Sequence, residues 1–231
     1  MDNKKQVISG FIITIIIFLT ANLIGRNIHF NNGIIPYSFM TGLIMLILSC
    51  SAIWIMKKDL RFQMALPKFK KIFKPFFIGI IISFVVNFIM TIIGNLIDVP
   101  PESHPLLAKM NFLQVFLFVF IWASITEEIL FRGFFLNSLR SLNNIGINIF
   151  KIRISLPVII SAVLFGLAHL TLLLMGASWF FLLRTILFTI ILGIAAGYYQ
   201  QKYNNTSYAI IVHMGGNVPA VLGLLIMNMS A

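Results

Sequence analysis

The chain has 231 residues, of which 59% are hydrophobic and 10% charged, with a formal net charge of +11 and a mean hydropathy of +0.99. Soluble domains average roughly 25% charged residues. This composition therefore excludes a soluble globule, a disordered chain, a collagen-like repeat and a disulfide scaffold. What remains is an all-α polytopic membrane helix bundle, because the alternating strands of a membrane barrel are absent.

A helix needs about 20 apolar residues to cross a bilayer, and seven stretches qualify: 7–24, 37–56, 75–97, 112–136, 156–175, 179–200 and 207–227. Lys4 and Lys5 precede the first, which is read as an uncleaved anchor rather than a signal peptide, being too long and lacking a small-x-small cleavage site. Pro75 and Pro157 sit where a first helical turn accepts proline. Cys50 falls inside the second stretch and is expected to be a small buried hydrophobe.

Lys57, Lys58, Arg61, Lys68, Lys70, Lys71 and Lys74 lie between the second and third stretches. Arg140, Lys151 and Arg153 follow the fourth, and Lys202 follows the sixth. The alternate connections hold only Arg26 and Lys109. This bias predicts a cytoplasmic N-terminus and an outer C-terminus. It also makes anionic lipid headgroups, not nucleic acid, the partner of the basic residues. For a bacterial or archaeal chain the location is the plasma membrane. No repeat is visible. Polar chemistry concentrates late, so the chain divides into anchoring helices, 1–110, and an active core, 111–231.

Six acidic residues exist: Asp2, Asp59, Asp98, Glu102, Glu127 and Glu128. Only Glu127 and Glu128 fall within an apolar stretch, where each costs at least ~2.5–3.5 kcal/mol on insertion scales and must face the bundle interior or a wet cavity. Glu128 and Arg132 are four apart and share a helix face. Glu127 points about 100° away. A carboxylate without a fixed cation suits a general base. His169 lies in the fifth stretch. His213 and Asn217 lie four apart in the seventh, with Gly215 and Gly216 between them opening room for a backbone or substrate. His29 and His104 fall in outer connections and are expected to be solvated. At 1.5 Å per residue, Glu127 is roughly 15 Å deep, His169 roughly 20 Å and His213 roughly 10 Å from the cytoplasmic ends, which predicts one shared site.

Such a set can hydrolyse an amide: Glu127 takes a proton from water, His169 orients that water, and His213 with Asn217 stabilises the oxyanion. Glu127, His169 and His213 are also a possible zinc set with an open position. The sequences H-E-x-x-H, G-x-S-x-G and G-x-x-x-x-G-K-[ST] are absent.

Glu127-Glu128-x-x-x-Arg132, Phe165-x-x-x-His169 and His213-x-x-x-Asn217 together resemble the three motifs of the CPBP family, the CAAX-protease and bacteriocin-processing group also called Abi or type II CAAX prenyl endopeptidase. The resemblance covers about 111–231. It implies an intramembrane endopeptidase with Glu127 as base, His169 as its partner, His213 and Asn217 at the oxyanion, and Glu128 and Arg132 in support. The implied substrate is a hydrophobic or lipidated peptide, either of the prenylated CAAX type or a leader peptide. Family members carry both metal-dependent and metal-free descriptions; this reading leaves zinc open and favours a metal-free glutamate. The active cavity is expected to open toward the cytoplasmic half or laterally to lipid. Two rival readings stand beside it: a non-catalytic immunity or scaffold protein of the same fold, and a proton-coupled transporter relaying protons through Glu127 and His169.

Overall fold

The structure is a computed structural model that describes residues 3–28, 30, 34–36, 38–100, 102, 104, 107 and 110–229. Asp2, His29, Tyr37 and Lys109, named above as an acid, an outer-loop histidine, the start of a span and an outer-loop cation, lie outside the described residues. Seven described helices are long and apolar enough to cross a bilayer. They are α1 (Asn3–Gly25), α2 (Ser38–Ile55), α3 (Phe73–Leu96), α4 (Phe112–Leu136), α5 (Leu156–Ala168, extended to Met175), α6 (Trp179–Tyr203) and α7 (Ser207–Met229). The seven expected stretches match these to within a few residues, so the chain is an integral, multi-pass membrane protein.

Apolar side chains cover the outside as well as the core. Ile12, Ile16, Leu19 and Leu23 on α1 and Phe77, Ile81, Phe84 and Phe88 on α3 are exposed, as lipid-facing surfaces require. Polar groups inside the spans are satisfied one turn back: Thr14 Oγ1 donates to Gly10 O, Ser49 Oγ to Met45 O, Asn22 Nδ2 to Phe18 O and Asn87 Nδ2 to Ser83 O. Burial against lipid gives apolar residues no reason to face inward. This corrects the expectation for Cys50, which is exposed and lies off the buried stripe of Gly42, Met45, Ser49, Ala52 and Ile53.

The fourth span is irregular. Asn111 and Gln114 form a reciprocal capping box at its start, each side chain meeting the other's backbone N–H at 2.9 Å. Bonding is then π-helical over Val115–Ala123, α-helical over Ser124–Glu128 and π-helical again over Ile129–Leu136. π-Helical turns occur mostly at functional sites, and here they flank the acidic pair on both sides. The span is also central: Leu130, Phe134 and Phe135 are fully buried, and Phe135 packs edge-on against Phe11 of α1 at 4.8 Å.

Two further departures concern connections. The loop after α4 contains an antiparallel hairpin, β1 (Gly146–Ile149) and β2 (Ile152–Ser155). Its signal was the alternation of Ile147, Ile149, Ile152 and Ile154 with polar neighbours. The fifth span is not one continuous α-helix: it tightens to 3₁₀ geometry over His169–Met175 and ends at Gly176, whose φ of 83° is left-handed. This places His169 at the junction.

α3 and α7 cross at glycines. A Cβ on Gly79 would strike Val212 O and come within 2.8 Å of Gly216 N; one on Gly215 would strike Phe76 O. The room expected around Gly215 is therefore taken by the backbone of α3, and that at Gly216 by the Leu192 side chain of α6. Gly79→Val and Gly215→Val should each lower the melting temperature in detergent, because overpacking costs roughly 1–3 kcal/mol. Gly223→Ala, where a Cβ meets nothing within 4 Å, should leave it unchanged or raise it. Equal effects at all three positions would show that the crossing is loose.

Candidate active site

Glu128 is held from two sides. Arg132 Nη1 donates to Glu128 Oε1 at 2.9 Å, and His213 Nδ1 donates to the same oxygen at 2.9 Å. The i, i+4 spacing supplies the first contact within α4, and α7 supplies the second from 85 residues away. Because the carboxylate accepts at Nδ1, the imidazole presents Nε2 on its other side. That nitrogen lies 3.9 Å from Glu127 Oε2, beyond direct hydrogen-bond reach and suited to a bridging water. The two glutamates differ in access: the Glu128 side chain is 1% exposed and that of Glu127 28%.

Phe165 on α5 is the surface on which the site assembles. The Arg132 guanidinium lies 4.5 Å from its ring centroid, a cation–π contact. The rings of His169 and His213 stand 5.2 and 5.6 Å away, and Phe131 packs at 5.0 Å. His169 Nδ1 donates to Phe165 O at 3.0 Å, leaving Nε2 as its acceptor nitrogen. Asn217 Nδ2 donates to Val119 O at 3.1 Å and to Ser124 Oγ at 3.2 Å. α7 is thereby fastened to the π-helical segment and to the short α-helix that carries the glutamates.

Glu127, Glu128, Arg132 and His213 thus form one cluster. His169 joins it through the shared Phe165 ring. Asn217 reaches the same span, but both of its amide hydrogens are engaged there. The sequence offered Glu128–Arg132 as a local pair and missed His213 as the second partner of Glu128, since no spacing rule links residues so far apart. Phe165 was visible only as the residue four before His169. Among the described residues, no group of three or more His, Cys, Asp or Glu side chains is placed to hold a metal ion. Glu127, His169 and His213 are not gathered into such a group, although the Nδ1 atoms of both histidines are engaged by Phe165 O and Glu128 Oε1 and their Nε2 atoms are left available. A polar cavity of about 260 Å³ lies away from this cluster.

The outer connection approaches His169. His104 was expected to be solvated; instead it packs edge-on against Phe181 at 5.7 Å and is held down to about 4, by burial first and then by His169 and Arg184. Glu102 accepts from Ser178 N at the start of α6, and its carbonyl accepts from Arg184 Nη2 at 2.8 Å.

Seven membrane helices around a buried carboxylate–arginine–histidine cluster define a polytopic membrane protein. Residues 109–219, which hold the whole cluster, match the family model for Type II CAAX prenyl endopeptidase Rce1-like proteins. No curated protein and no solved structure matches the chain.

Removing one member of a buried pair leaves an uncompensated charge and costs roughly 3–5 kcal/mol. Glu128→Ala should therefore strongly destabilise the protein to heat in detergent, whereas Glu127→Gln, at the accessible carboxylate, should barely move the transition; similar shifts for both would contradict the division of roles. A pH effect follows from His104. Its folded value lies below the ordinary 6.5, so the unfolded chain binds the extra proton first. The stabilisation is complete above about 6.5 and is lost as pH falls toward 4. His104→Gln should flatten the fall in melting temperature between pH 7 and 4 relative to wild type, and an unchanged slope would place the acid sensitivity elsewhere.

Proposed function

We propose that this protein is an intramembrane endopeptidase that hydrolyses a peptide bond in a membrane-associated substrate, either a prenylated CAAX-type peptide or a hydrophobic leader peptide. The observation that carries this reading is the unequal treatment of two adjacent carboxylates. Glu128 is consumed by Arg132 and His213. Glu127 is left accessible, facing His213 Nε2 across 3.9 Å. A structural ion pair needs only the first of these.

The chemistry then runs through Glu127. Its carboxylate takes a proton from a water lying between it and His213, with the acceptor Nε2 of His169 aligning that water. The hydroxide oxygen attacks the peptide carbonyl carbon, and the carbonyl oxygen takes the negative charge. His213, braced through its Nδ1 by Glu128, presents Nε2 to this oxyanion, to which it can donate once that nitrogen carries a proton taken up from solvent. Glu127 returns the proton to the leaving nitrogen as the C–N bond breaks, so the same residue serves as base and then acid. Asn217 adds a second donor by exchanging its bond to Ser124 Oγ for one to the substrate. Phe165 keeps Arg132 and both imidazoles in register. The Lys/Arg bias of the connections supports a cytoplasmic N-terminus.

The test uses the purified protein in detergent with prenylated CAAX-like and leader-type peptides. Wild type should cleave one class, and Glu127→Gln should lose at least ~10²-fold in rate while keeping its melting temperature. Activity should survive a chelator; loss restored by zinc would replace the glutamate-only route with metal-assisted hydrolysis. Absence of cleavage in a folded wild-type protein would favour the scaffold reading, and proton-coupled uptake without cleavage the transporter.

A further inference from the structure

A second polar site lies at one end of the bundle, at the junction of the α4 end, the hairpin, the end of α6 and the connection after α2. It is a cavity of about 260 Å³, smaller than the roughly 300–1,000 Å³ of a cleft for a drug-sized ligand. Arg61, Arg140 and Arg153 line it, together with Asn137, Gln200 and Gln201; Leu136 is its one apolar lining residue, and no carboxylate lines it. None of the residues of the acidic cluster contributes.

The three arginines are not explained by the fold alone. Among the described residues, Arg61 and Arg140 make no hydrogen bond or ion pair with a protein acceptor. Arg140 is pushed below the ordinary arginine value by burial first and by the nearby Arg61 second. Two like charges thus converge on one hollow with no counter-ion from the chain. Arg153 is braced by its Nη2, which donates to Asn143 O at 3.3 Å and Asn144 O at 2.6 Å. Ser155 Oγ donates to Gln201 Oε1, and Gln201 Nε2 to Asn143 Oδ1, so the wall is built before any ligand arrives. Guanidinium forks with amide donors suit the tetrahedral oxygens of phosphate.

The surroundings indicate where that phosphate comes from. The hairpin exposes Ile147, Ile149, Phe150 and Ile152 beside Lys151 and Arg153. Apolar side chains next to cations are the composition of a segment lying in the headgroup layer. Within β2, Arg153 and Ser155 share the face opposite these isoleucines, and both line the cavity. The mouth therefore sits at the level where the spans leave the apolar core.

We infer that this cavity binds a phosphate group at the membrane–water interface, supplied by the headgroup of an anionic phospholipid or by a free phosphate compound. The site is independent of the hydrolytic reading and is tested without substrate. It is also connected to the core: Asn137 and Gln200 line the cavity, and both donate to the Arg132 carbonyl, at 3.0 and 2.9 Å.

The experiment is native mass spectrometry of the full chain in a non-ionic detergent, titrated with phosphatidylglycerol, with phosphatidylcholine as the zwitterionic control, and separately with inorganic phosphate. Wild type should take up one phosphatidylglycerol saturably. Arg61→Gln/Arg140→Gln should weaken that binding at least tenfold, while Lys57→Gln/Lys58→Gln, an equal charge change at exposed residues outside the cavity, should change it less than twofold. Displacement of the lipid by inorganic phosphate would make any phosphate sufficient; binding that resists it would assign the site to the lipid. If the double variant does not fold, Arg61→Gln alone carries the comparison, since Arg61 is exposed. Equal weakening by the lysine and arginine pairs, or no saturable binding of either phosphate source, would overturn the inference.

Discussion

A single carboxylate oxygen, Glu128 Oε1, receives both Arg132 and His213, and the arrangement of the bundle follows from the need to keep that contact dry. Ionised groups in the apolar interior are tolerated only when paired and hydrogen-bonded. Arg132 is fully buried, and its Nε and Nη2 have no hydrogen-bond partner. The face of Phe165 covers the guanidinium instead. α6 reaches the same group through Gly193, where a Cβ would collide with Arg132 Nη2 and press on Ala162 Cβ at 3.1 Å. Four of the seven helices thus meet around one charge pair. α4 carries it, α5 covers it with an aromatic ring, α6 withdraws a side chain to make room, and α7 delivers the histidine.

This explains why α4 is the most irregular of the spans and also the most buried at its end. Its backbone is fastened from outside the helix: Gln200 on the Arg132 carbonyl, Ser161 Oγ on Phe131 O at 2.8 Å, and Asn217 on Val119 O. Wide π turns leave some carbonyls poorly aligned within the helix, and polar side chains of α5, α6 and α7 meet them. A uniform α-helix would need fewer such clamps. The neighbouring helices therefore fix the angular relation between Glu127 and Glu128 that separates an accessible carboxylate from a sequestered one.

Much of this was legible in the residues, for physical reasons that differ by element. The spans were readable because length and apolarity are nearly sufficient conditions for crossing a bilayer. Glu128–Arg132 was readable because four residues is one helical turn. Gly215 and Gly216 announced a close approach but not what approaches, which is the backbone of α3 around Gly79 and, at Gly216, the Leu192 side chain of α6. His213 as the second ligand of Glu128 was hidden, because the contact depends on how α7 docks against α4. Cys50 misled because burial from water and burial within protein are the same thing only in a soluble fold. His104 misled because its loop residues are polar, whereas the segment folds back onto Phe181. The hairpin is carried by alternating isoleucines over only four residues per strand, a signal far weaker than that of a span.

The internal pairing on α4 also bears on how the protein is made. Synthesis proceeds from the N-terminus, so α4 reaches the membrane before α5, α6 and α7 exist. Glu128 and Arg132 lie one turn apart on the same helix and can neutralise one another at that moment, without tertiary help. Glu127 has no such companion. Its neighbour is His213 on α7, which is translated three spans after α4. The span therefore reaches the membrane with one carboxylate still lacking its partner. That carboxylate meets His213 only when α7 docks against α4. The acidic cluster is therefore assembled across the chain, after three further spans have been made.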